Sequence, residues 1–320
     1  GAKPTGDISL DVLDAAGNVV RHMSSAPITP VPEASHPPEP SFWIATPQPM
    51  PTALGTNRVN WDLRYDAPGA FSHSYGINAN PGLTPPSPEG PLAAPGTYTF
   101  RLTVNGKAYT ETARVTNDPR SPATAAALAA QHALQLKAYR GTGEAFDGFQ
   151  QAAAIKGALA ALVATKPAAA IDSAAKALDA RIDSIAGDTG GRGGRRFGGG
   201  RVPPTFVGVN GTLARQLDAQ DLADMAPNPP MLSAYAAACG DLKTTVTNWH
   251  TFVTHDLAAF NTLLQQSHLA TIAGPTGTLA VPDCGPGVHA RGRTAAARVN
   301  APEANDDPDN PYAALDDGGE

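Results

Sequence analysis

The spacing of hydrophobic residues changes abruptly near residues 118–121, and this change limits the fold more than any other feature of the sequence. Before it, apolar and polar residues alternate in short stretches, as in half-buried strands. After it, apolar residues recur every three or four positions, as on one face of a helix. We therefore predict an α+β multidomain chain, in which a small immunoglobulin/fibronectin-like β-sandwich is followed by an antiparallel α-helical bundle.

The domain boundaries follow from composition as well as from spacing. The sandwich, with long proline-rich loops, is predicted over 1–118, and the bundle over 119–269 with a glycine- and arginine-rich linker at 187–201. Residues 270–320 show no period and are predicted to form an irregular tail that is acidic at its end. Because the sequence starts at Gly1 without a methionine or a signal peptide, we expect it to be the C-terminal piece of a longer protein.

Two hairpins are predicted in the first domain. The stretch DISLDVLDAAGNVVRHMSS turns through residues 14–18, and TYTFRLTV is joined to KAYTETARV by Asn105-Gly106, a pair that readily adopts two positive φ angles. A strict two-residue loop would place Glu111 opposite Phe100 on the core face, so we expect a β-bulge to correct the register. The recognisable β segments are fewer than the roughly seven strands of a complete sandwich, which predicts that the first strand is missing.

The stretch RVNWDLRYD, residues 58–66, alternates so regularly that it is predicted to be a strand. Its apolar side chains would face the core and its polar side chains would face water. No nucleophile, base or oxyanion donor converges on the polar row, so we interpret it as the solvated side of the strand. The inward residues would be Val59, Trp61, Leu63 and Tyr65, and the outward residues Asn60, Asp62, Arg64 and Asp66.

Five helices are predicted in the second domain. Ser121-Pro122 would begin the first helix, and Gly141-Thr142-Gly143 would separate it from the second. A third helix covers 171–185, and a short fourth covers 206–217. The last starts at Asn228-Pro229-Pro230 and keeps its spacing for about 35 residues, so it is predicted to be the spine of the bundle.

The motifs that would identify an enzyme are missing. The sequence has no phosphate-binding GxxxxGK[ST] loop, no GxSxG elbow and no HExxH pair. His250 and His255 are five residues apart, about 140° around a helix, so they point in different directions and make a poor metal pair. We therefore predict no catalytic residue, no metal and no cofactor. The lack of a long apolar run predicts no membrane span.

The distribution of charge argues against a nucleic-acid partner. The formal net charge is −6, and the acids concentrated at 303–320 leave the rest of the chain close to neutral. The stretch GGRGGRRFGGGR at 190–201 is similar to arginine-glycine segments that bind RNA, but its composition also suits a flexible linker, which we favour. The acidic end is predicted to be a disordered tail, with weak calcium binding as its alternative.

Aromatic residues in two long loops are the candidate ligand contacts. Trp43 lies in the proline-rich first loop, and Phe71, His73 and Tyr75 lie in the second. Aromatic side chains in loops stack on sugar rings or on peptides. The alternative is that they fasten the loops onto the sandwich, which needs no partner.

The string VNWDLRYDAPGAFSHSYGINANPG…GPLAAPGTYTFRLTVNGKAYTETARVTNDPRSPAT resembles the C-terminal region of exported bacterial BNR-repeat, sortilin-like or sialidase-like glycosyl hydrolase family proteins. In that family a β-propeller precedes an immunoglobulin-like domain and a helical segment. The resemblance is densest over 57–125, where WDLRY, PGTY and NDPR occur together, and it ends near residue 272. The S-x-D-x-G-x-T-W box of propeller blades is missing, so the family's catalytic inference does not transfer to this sequence.

The resemblance implies export, and therefore a secreted or periplasmic location, with an upstream β-propeller of the same parent chain as partner. An oxidising compartment favours a disulfide between Cys239, at an apolar position of the last helix, and Cys284, in the turn-rich VPDCGPG. Such a bond would bring residues 270–284 back across the helices. Two free thiols are the alternative.

These observations together favour a non-catalytic C-terminal accessory or interaction module of an exported propeller protein, with a glycan or a peptide as a further partner. The alternative is a substrate-contacting domain of an exported glycoside hydrolase or peptidase-like enzyme. A free-standing RNA- or cation-binding protein is a third hypothesis, which the sequence motifs favour least.

Overall fold

The structure is a computed structural model that describes residues 3–28, 40–76, 81–189, 203–221 and 223–284. Within these ranges the fold consists of a small antiparallel sheet and a series of helices, which confirms the α+β class. Most of the predicted linker at 187–201 and all of the acidic end at 303–320 lie outside the described residues, so the predictions made for them stay predictions.

The strands in the described residues are β1 (Ser9–Leu13), β2 (Val19–Ser24), β3 (Ser74–Tyr75), β4 (Pro86–Ser87), β5 (Gly96–Val104) and β6 (Lys107–Val115). Four of them form an antiparallel sheet in the order β2-β1-β5-β6, and a separate two-stranded ladder joins β3 to β4. A 3₁₀ turn at Ser41–Trp43 lies in the first long loop.

Both predicted hairpins are confirmed. Between β5 and β6, Asn105 and Gly106 have φ angles of 49° and 77°, as a tight two-residue turn requires. The predicted bulge in this hairpin is wrong, because Phe100 pairs directly with Glu111 and the register runs unbroken along both strands. Strand β6 is exposed along almost its whole length, so Glu111 reaches water without a change of register.

The described residues contain no second sheet packed face to face against the first, so the predicted sandwich is not confirmed. Instead, the buried side chains beside the four-stranded sheet are completed by two residues of a helix, Leu136 and Tyr139. The sheet cluster consists of Val12, Val20, Tyr65, Ala93 and Tyr98.

The helical region is longer than the sheet region and contains the larger core. No helix in the described part of the chain is long and apolar enough to cross a membrane. The helices in that part are α1 (Ala125–Ala164), α2 (Ala169–Ala186), α3 (Phe206–Gln220), α4 (Pro229–Thr251), a π-helical turn (Phe252–Leu257) and α5 (Ala258–Gln266).

The predicted break at Gly141-Thr142-Gly143 is wrong, since α1 runs through it without interruption. A Cβ atom at Gly141 would lie 2.8 Å from Leu213 Cδ1, and one at Gly148 would lie 2.4 Å from the Phe206 ring. Glycine at these two positions therefore allows α1 and α3 to pack closely, which outweighs its low intrinsic helix propensity.

The start of α1 also differs from the sequence prediction, whereas the start of α4 agrees with it. Thr124, not Ser121, caps α1, because its hydroxyl accepts a hydrogen bond from the Ala127 N–H at 3.1 Å. Asn228 caps α4 by accepting from the Met231 N–H at 2.9 Å, with proline following in the first turn. Residues 229–266 form one helical segment through the π-helical turn, which confirms the long last helix.

Residues 267–284 pack against the helices, as the disulfide prediction required. Cys239 and Cys284 form a disulfide with a Cα–Cα distance of 5.6 Å, which confirms the predicted pair. Asn261 accepts a hydrogen bond from the Ile272 N–H and donates one to the Ile272 carbonyl. Ile272 and Leu279 are buried in the helical core, so this stretch belongs to the folded structure.

Candidate functional site

The stretch at residues 58–66 is not a strand, which overturns the strand prediction made from its alternation. Leu63 has a φ of 61° and is 41% exposed, and the Asp62 carboxylate accepts a hydrogen bond from the Arg64 N–H at 3.0 Å. The Trp61 indole N–H donates to the Arg64 carbonyl at 2.9 Å. These local bonds hold a turn that exposes Leu63, whereas Trp61 and Tyr65 stay in the sheet core, so the apolar residues do not all share one face.

The interpretation of the polar row as a solvated face is also wrong for Arg64, whose side chain is only 17% exposed. The turn is fixed on both sides by backbone hydrogen bonds. Tyr65 N–H donates to the Pro91 carbonyl at 2.9 Å, and Asp66 N–H donates to the Val20 carbonyl of β2 at 3.0 Å. The turn packs so closely on Gly90 that this position has no room for a side chain, since a Cβ atom there would lie 2.2 Å from the Tyr65 carbonyl oxygen.

Residues 58–66 line one side of a groove of about 760 Å³ that β2 and the proline-rich first loop complete. This volume is within the range of small-molecule and peptide sites, about 300–1,000 Å³. The apolar side chains that line the groove include Met23, Ile28, Ile44, Pro47, Pro49, Met50 and Pro86. The charged side chains that line it are Arg21, Arg58, Arg64, Asp62, Asp66 and Glu89.

Arg21 holds the first of two charge clusters in the groove wall. Its guanidinium lies 3.4 Å from the Asp62 carboxylate and 3.5 Å from the Asp66 carboxylate, and it donates to the Tyr65 carbonyl at 3.2 Å. Burial raises the pKa of Asp66, although the His22 N–H and the Arg21 charge act in the opposite direction. The cluster therefore ties β2 to the turn at 58–66.

Arg64 holds the second cluster, which extends from the groove to the helices. Its guanidinium lies 2.6 Å from the Asp221 carboxylate and 3.4 Å from the Glu89 carboxylate, and it donates to the Gly90 carbonyl at 3.0 Å. Asp221 follows α3 directly and also accepts from the Gln135 amide of α1 at 2.7 Å. One arginine thus connects the groove wall to two helices.

Arg64 is surrounded by more than one acidic side chain, and burial together with neighbouring acids raises the pKa of two of them, Asp218 and Glu89. Burial, followed by the neighbouring Asp221 and Glu89 charges, raises the pKa of Asp218 to about 6. Burial also raises the pKa of Glu89 against the attraction of Arg64. The cluster therefore gathers three carboxyl groups around a single guanidinium.

The groove offers positioning, charge and one imidazole, because His22 lines it with Nδ1 2.6 Å from the Asp11 carboxylate. Tyr65 lines it, and burial together with the neighbouring Tyr98 raises the pKa of Tyr65 to about 12, so its hydroxyl stays protonated at neutral pH. No group of three His, Cys, Asp or Glu side chains in the described ranges is arranged to hold a metal ion. The charged side chains of the wall are engaged mostly with one another.

The structure does not bring the four candidate aromatic residues to one place in the groove. Phe71 stacks on Phe146 of α1 with ring centroids 5.0 Å apart, which fastens its loop to the helix. The Trp43 ring lies beside Phe42, and neither Trp43 nor His73 lines the groove. Tyr75, which is buried, does line it. A ligand role for these residues stays a prediction.

Sequence reasoning missed the side chains that organise the groove. Arg64 and Asp221 are 157 positions apart, so no local pattern relates them. The one available signal was the density of charge in WDLRYD, which alternation led us to assign to solvent.

Comparison of this chain with protein-family models, with curated proteins and with solved structures found no match.

Proposed function

We propose that this chain is a non-catalytic interaction module whose groove binds an extended polypeptide segment. The observation that carries the proposal is the groove itself, in which apolar side chains stand beside two clusters whose guanidinium groups are already paired with carboxylates. An apolar lining with few fixed polar groups suits the alternating side chains of a peptide. A strongly anionic ligand would instead have to compete with these carboxylates for Arg21 or Arg64.

The aromatic residues favour a polypeptide over a glycan. Sugar recognition by stacking needs an accessible aromatic face. The Phe71 ring is covered by Phe146 and Phe149, and the Tyr65 ring packs against Tyr139. Trp43 lies outside the groove lining.

The parent protein supplies the proposed partner. The resemblance of residues 57–125 to exported propeller proteins supports a polypeptide segment of an upstream β-propeller in the same parent chain as the occupant. The Cys239–Cys284 disulfide is compatible with a secreted or periplasmic location, since such bonds persist in oxidising compartments.

A display selection tests the proposal. The full chain is panned against random linear peptides, and the enriched sequences are synthesised and titrated against the wild type and two variants. Ile28 lines the groove and is 47% exposed, whereas Leu232 is 49% exposed on α4 and lies outside the groove lining. We expect Ile28→Glu to weaken binding roughly tenfold, equivalent to about 1.4 kcal/mol, and Leu232→Glu to leave it unchanged.

Two results would count against the proposal. If peptides bind Ile28→Glu as tightly as the wild type, they bind outside the groove. If the selection enriches no peptide, a peptide is not the ligand of the groove. Turnover of glycosides or peptides by the pure chain would favour the alternative, a domain of an exported hydrolase that contacts substrate.

A further inference from the structure

The two edges of the four-stranded sheet differ in what covers them. Along β2, the Met50 N–H donates to the Ser24 carbonyl at 2.8 Å and the Asp66 N–H donates to the Val20 carbonyl at 3.0 Å. Along β6, the opposite edge, no described residue other than those of β5 makes a backbone hydrogen bond. Within the described ranges, the chain therefore covers the β2 edge with its own loops and provides no backbone partner for the β6 edge.

Strand β6 carries three charged side chains, Lys107, Glu111 and Arg114, but it is neither short nor interrupted by a proline or a bulge. It is nine residues long, contains no proline and pairs with β5 in a continuous register without a bulge. Every residue from Lys107 to Arg114 is exposed. A long, regular and exposed edge is a template for another strand.

The hairpin turn decides which backbone groups of β6 point outward. Lys107 closes the two-residue turn opposite Val104, so these two residues form a hydrogen-bonded pair. Hydrogen-bonded pairs alternate along an antiparallel ladder, so every second residue after Lys107 also bonds to β5. The residues whose N–H and C=O groups point away from β5 are Ala108, Thr110, Thr112 and Arg114.

We propose that β6 pairs antiparallel with β6 of a second copy of this chain, around a two-fold axis at Thr112. This register makes Thr112 its own hydrogen-bonded partner, and it places Thr110 opposite Arg114. On the other face it places Glu111 opposite Ala113 and Tyr109 opposite Val115. No like charges oppose each other, and Thr–Thr pairs and aromatic–β-branched pairs are favourable cross-strand neighbours.

Side-chain chemistry favours this register over an axis at Glu111. A two-fold axis there would place the two Glu111 carboxylates directly opposite each other, which destabilises a strand pair. Edge pairing by itself buries less area than a standard interface of about 1,600 Å², so we expect a weak, concentration-dependent dimer.

Sedimentation equilibrium of the full chain tests the dimer. The monomer mass is 32.8 kDa, and we expect the weight-average mass to rise toward twice this value between micromolar and millimolar concentration. Thr110→Pro removes an outward N–H without removing a β5–β6 hydrogen bond, so it should abolish the rise. Thr110→Val keeps the N–H and is the matched control, which should dimerise like the wild type.

Two further variants, each with its own control, make the test independent of any effect of proline on folding. Thr112→Glu keeps the backbone but places two carboxylates opposite each other at the axis, so it should remain monomeric, whereas Thr112→Val should not. Under mild oxidation, Thr112→Cys should give a disulfide-linked dimer, because hydrogen-bonded partners have Cα atoms about 5.5 Å apart. Ala108→Cys should not crosslink, since its partner in this register lies beyond β6.

A wild-type chain that stays monomeric at millimolar concentration overturns the proposal. A dimer that persists in both Thr110→Pro and Thr112→Glu also overturns it, because another surface would then form the contact. Crosslinking of Ala108→Cys in place of Thr112→Cys would reject the register. Loss of the groove's peptide binding would leave these outcomes unchanged, since β6 does not line the groove.

Discussion

The helical region and the sheet region differ in how much of their core each provides for itself. The helical core contains large side chains that are fully buried, among them Trp249, Phe206 and Phe252. The sheet core is small and depends on Leu136 and Tyr139 of α1 for part of its cover. Burial of apolar surface is the main source of stability, so we infer that the helices stabilise the sheet more than the sheet stabilises the helices.

The largest expected effect comes from the helical core. Phe206→Ala removes a ring that packs between Gly148 and Trp249, and it should lower the free energy of unfolding by about 4 kcal/mol. Urea denaturation measures the loss, with Phe42→Ala as a control because that ring is exposed. Hydrogen exchange should show that β5 amides lose protection together with α4 amides. If β5 keeps its protection, the sheet is independent and the inferred dependence is wrong.

The disulfide should have the next largest effect, and it lies in the helical region. Cys239 and Cys284 are 45 positions apart, and replacing both with alanine should cost about 3 kcal/mol because the unfolded chain regains freedom. Thermal unfolding of the wild type with and without reductant should show the same loss. Titration of the denatured, unreduced wild type should find no free thiol. Two free thiols would contradict the bond.

The connection between the two regions is tested at Arg64. Arg64→Met leaves Asp221 and Glu89 without their cation, and it should cost about 2 kcal/mol at neutral pH because both acids are largely shielded from water. Arg120→Met is the matched control, since Arg120 also pairs with an aspartate but is 89% exposed, and it should cause no measurable change. Equal losses in the two variants would show that Arg64 does not connect the regions.

The smallest effect, an increase in stability, is expected at Asp218. Its pKa is raised to about 6 in the folded chain, compared with about 3.9 when unfolded, so between these pH values the folded state binds more protons. The contribution of Asp218 to stability is therefore present at low pH and is lost as the pH rises through 6. Asp218→Asn should raise the unfolding free energy at pH 7 by about 1 kcal/mol, after allowance for partial exposure.

The pH dependence provides the check on Asp218. The difference in stability between Asp218→Asn and the wild type should grow as the pH rises from 4 to 7, as measured by urea denaturation at each pH. A constant difference would mean that this carboxyl does not titrate in the folded chain with a raised pKa.

The sequence was most informative where a few neighbouring residues decide the conformation. Asn105-Gly106 predicted the β5–β6 turn, and Asn228 with its prolines predicted the start of α4. The Cys239–Cys284 disulfide spans 45 positions and was predicted from other signals, namely the presence of two cysteines and the export that the resemblance implied. Turn geometry and helix capping depend on interactions within about four residues, so a sequence alone can determine them.

Only the tertiary structure decided the features that depend on distant residues. Alternation at 58–66 predicted a strand, but hydrogen bonds to β2 and to residues 91–93 hold that stretch as a turn and place Arg64 against Asp221. The sequence predicted a helix break at Gly141, whereas close packing on Leu213 keeps this residue inside α1. Burial and charge pairing between residues far apart in sequence can exceed local preferences of about 1 kcal/mol, and those pairs exist only once the chain has folded.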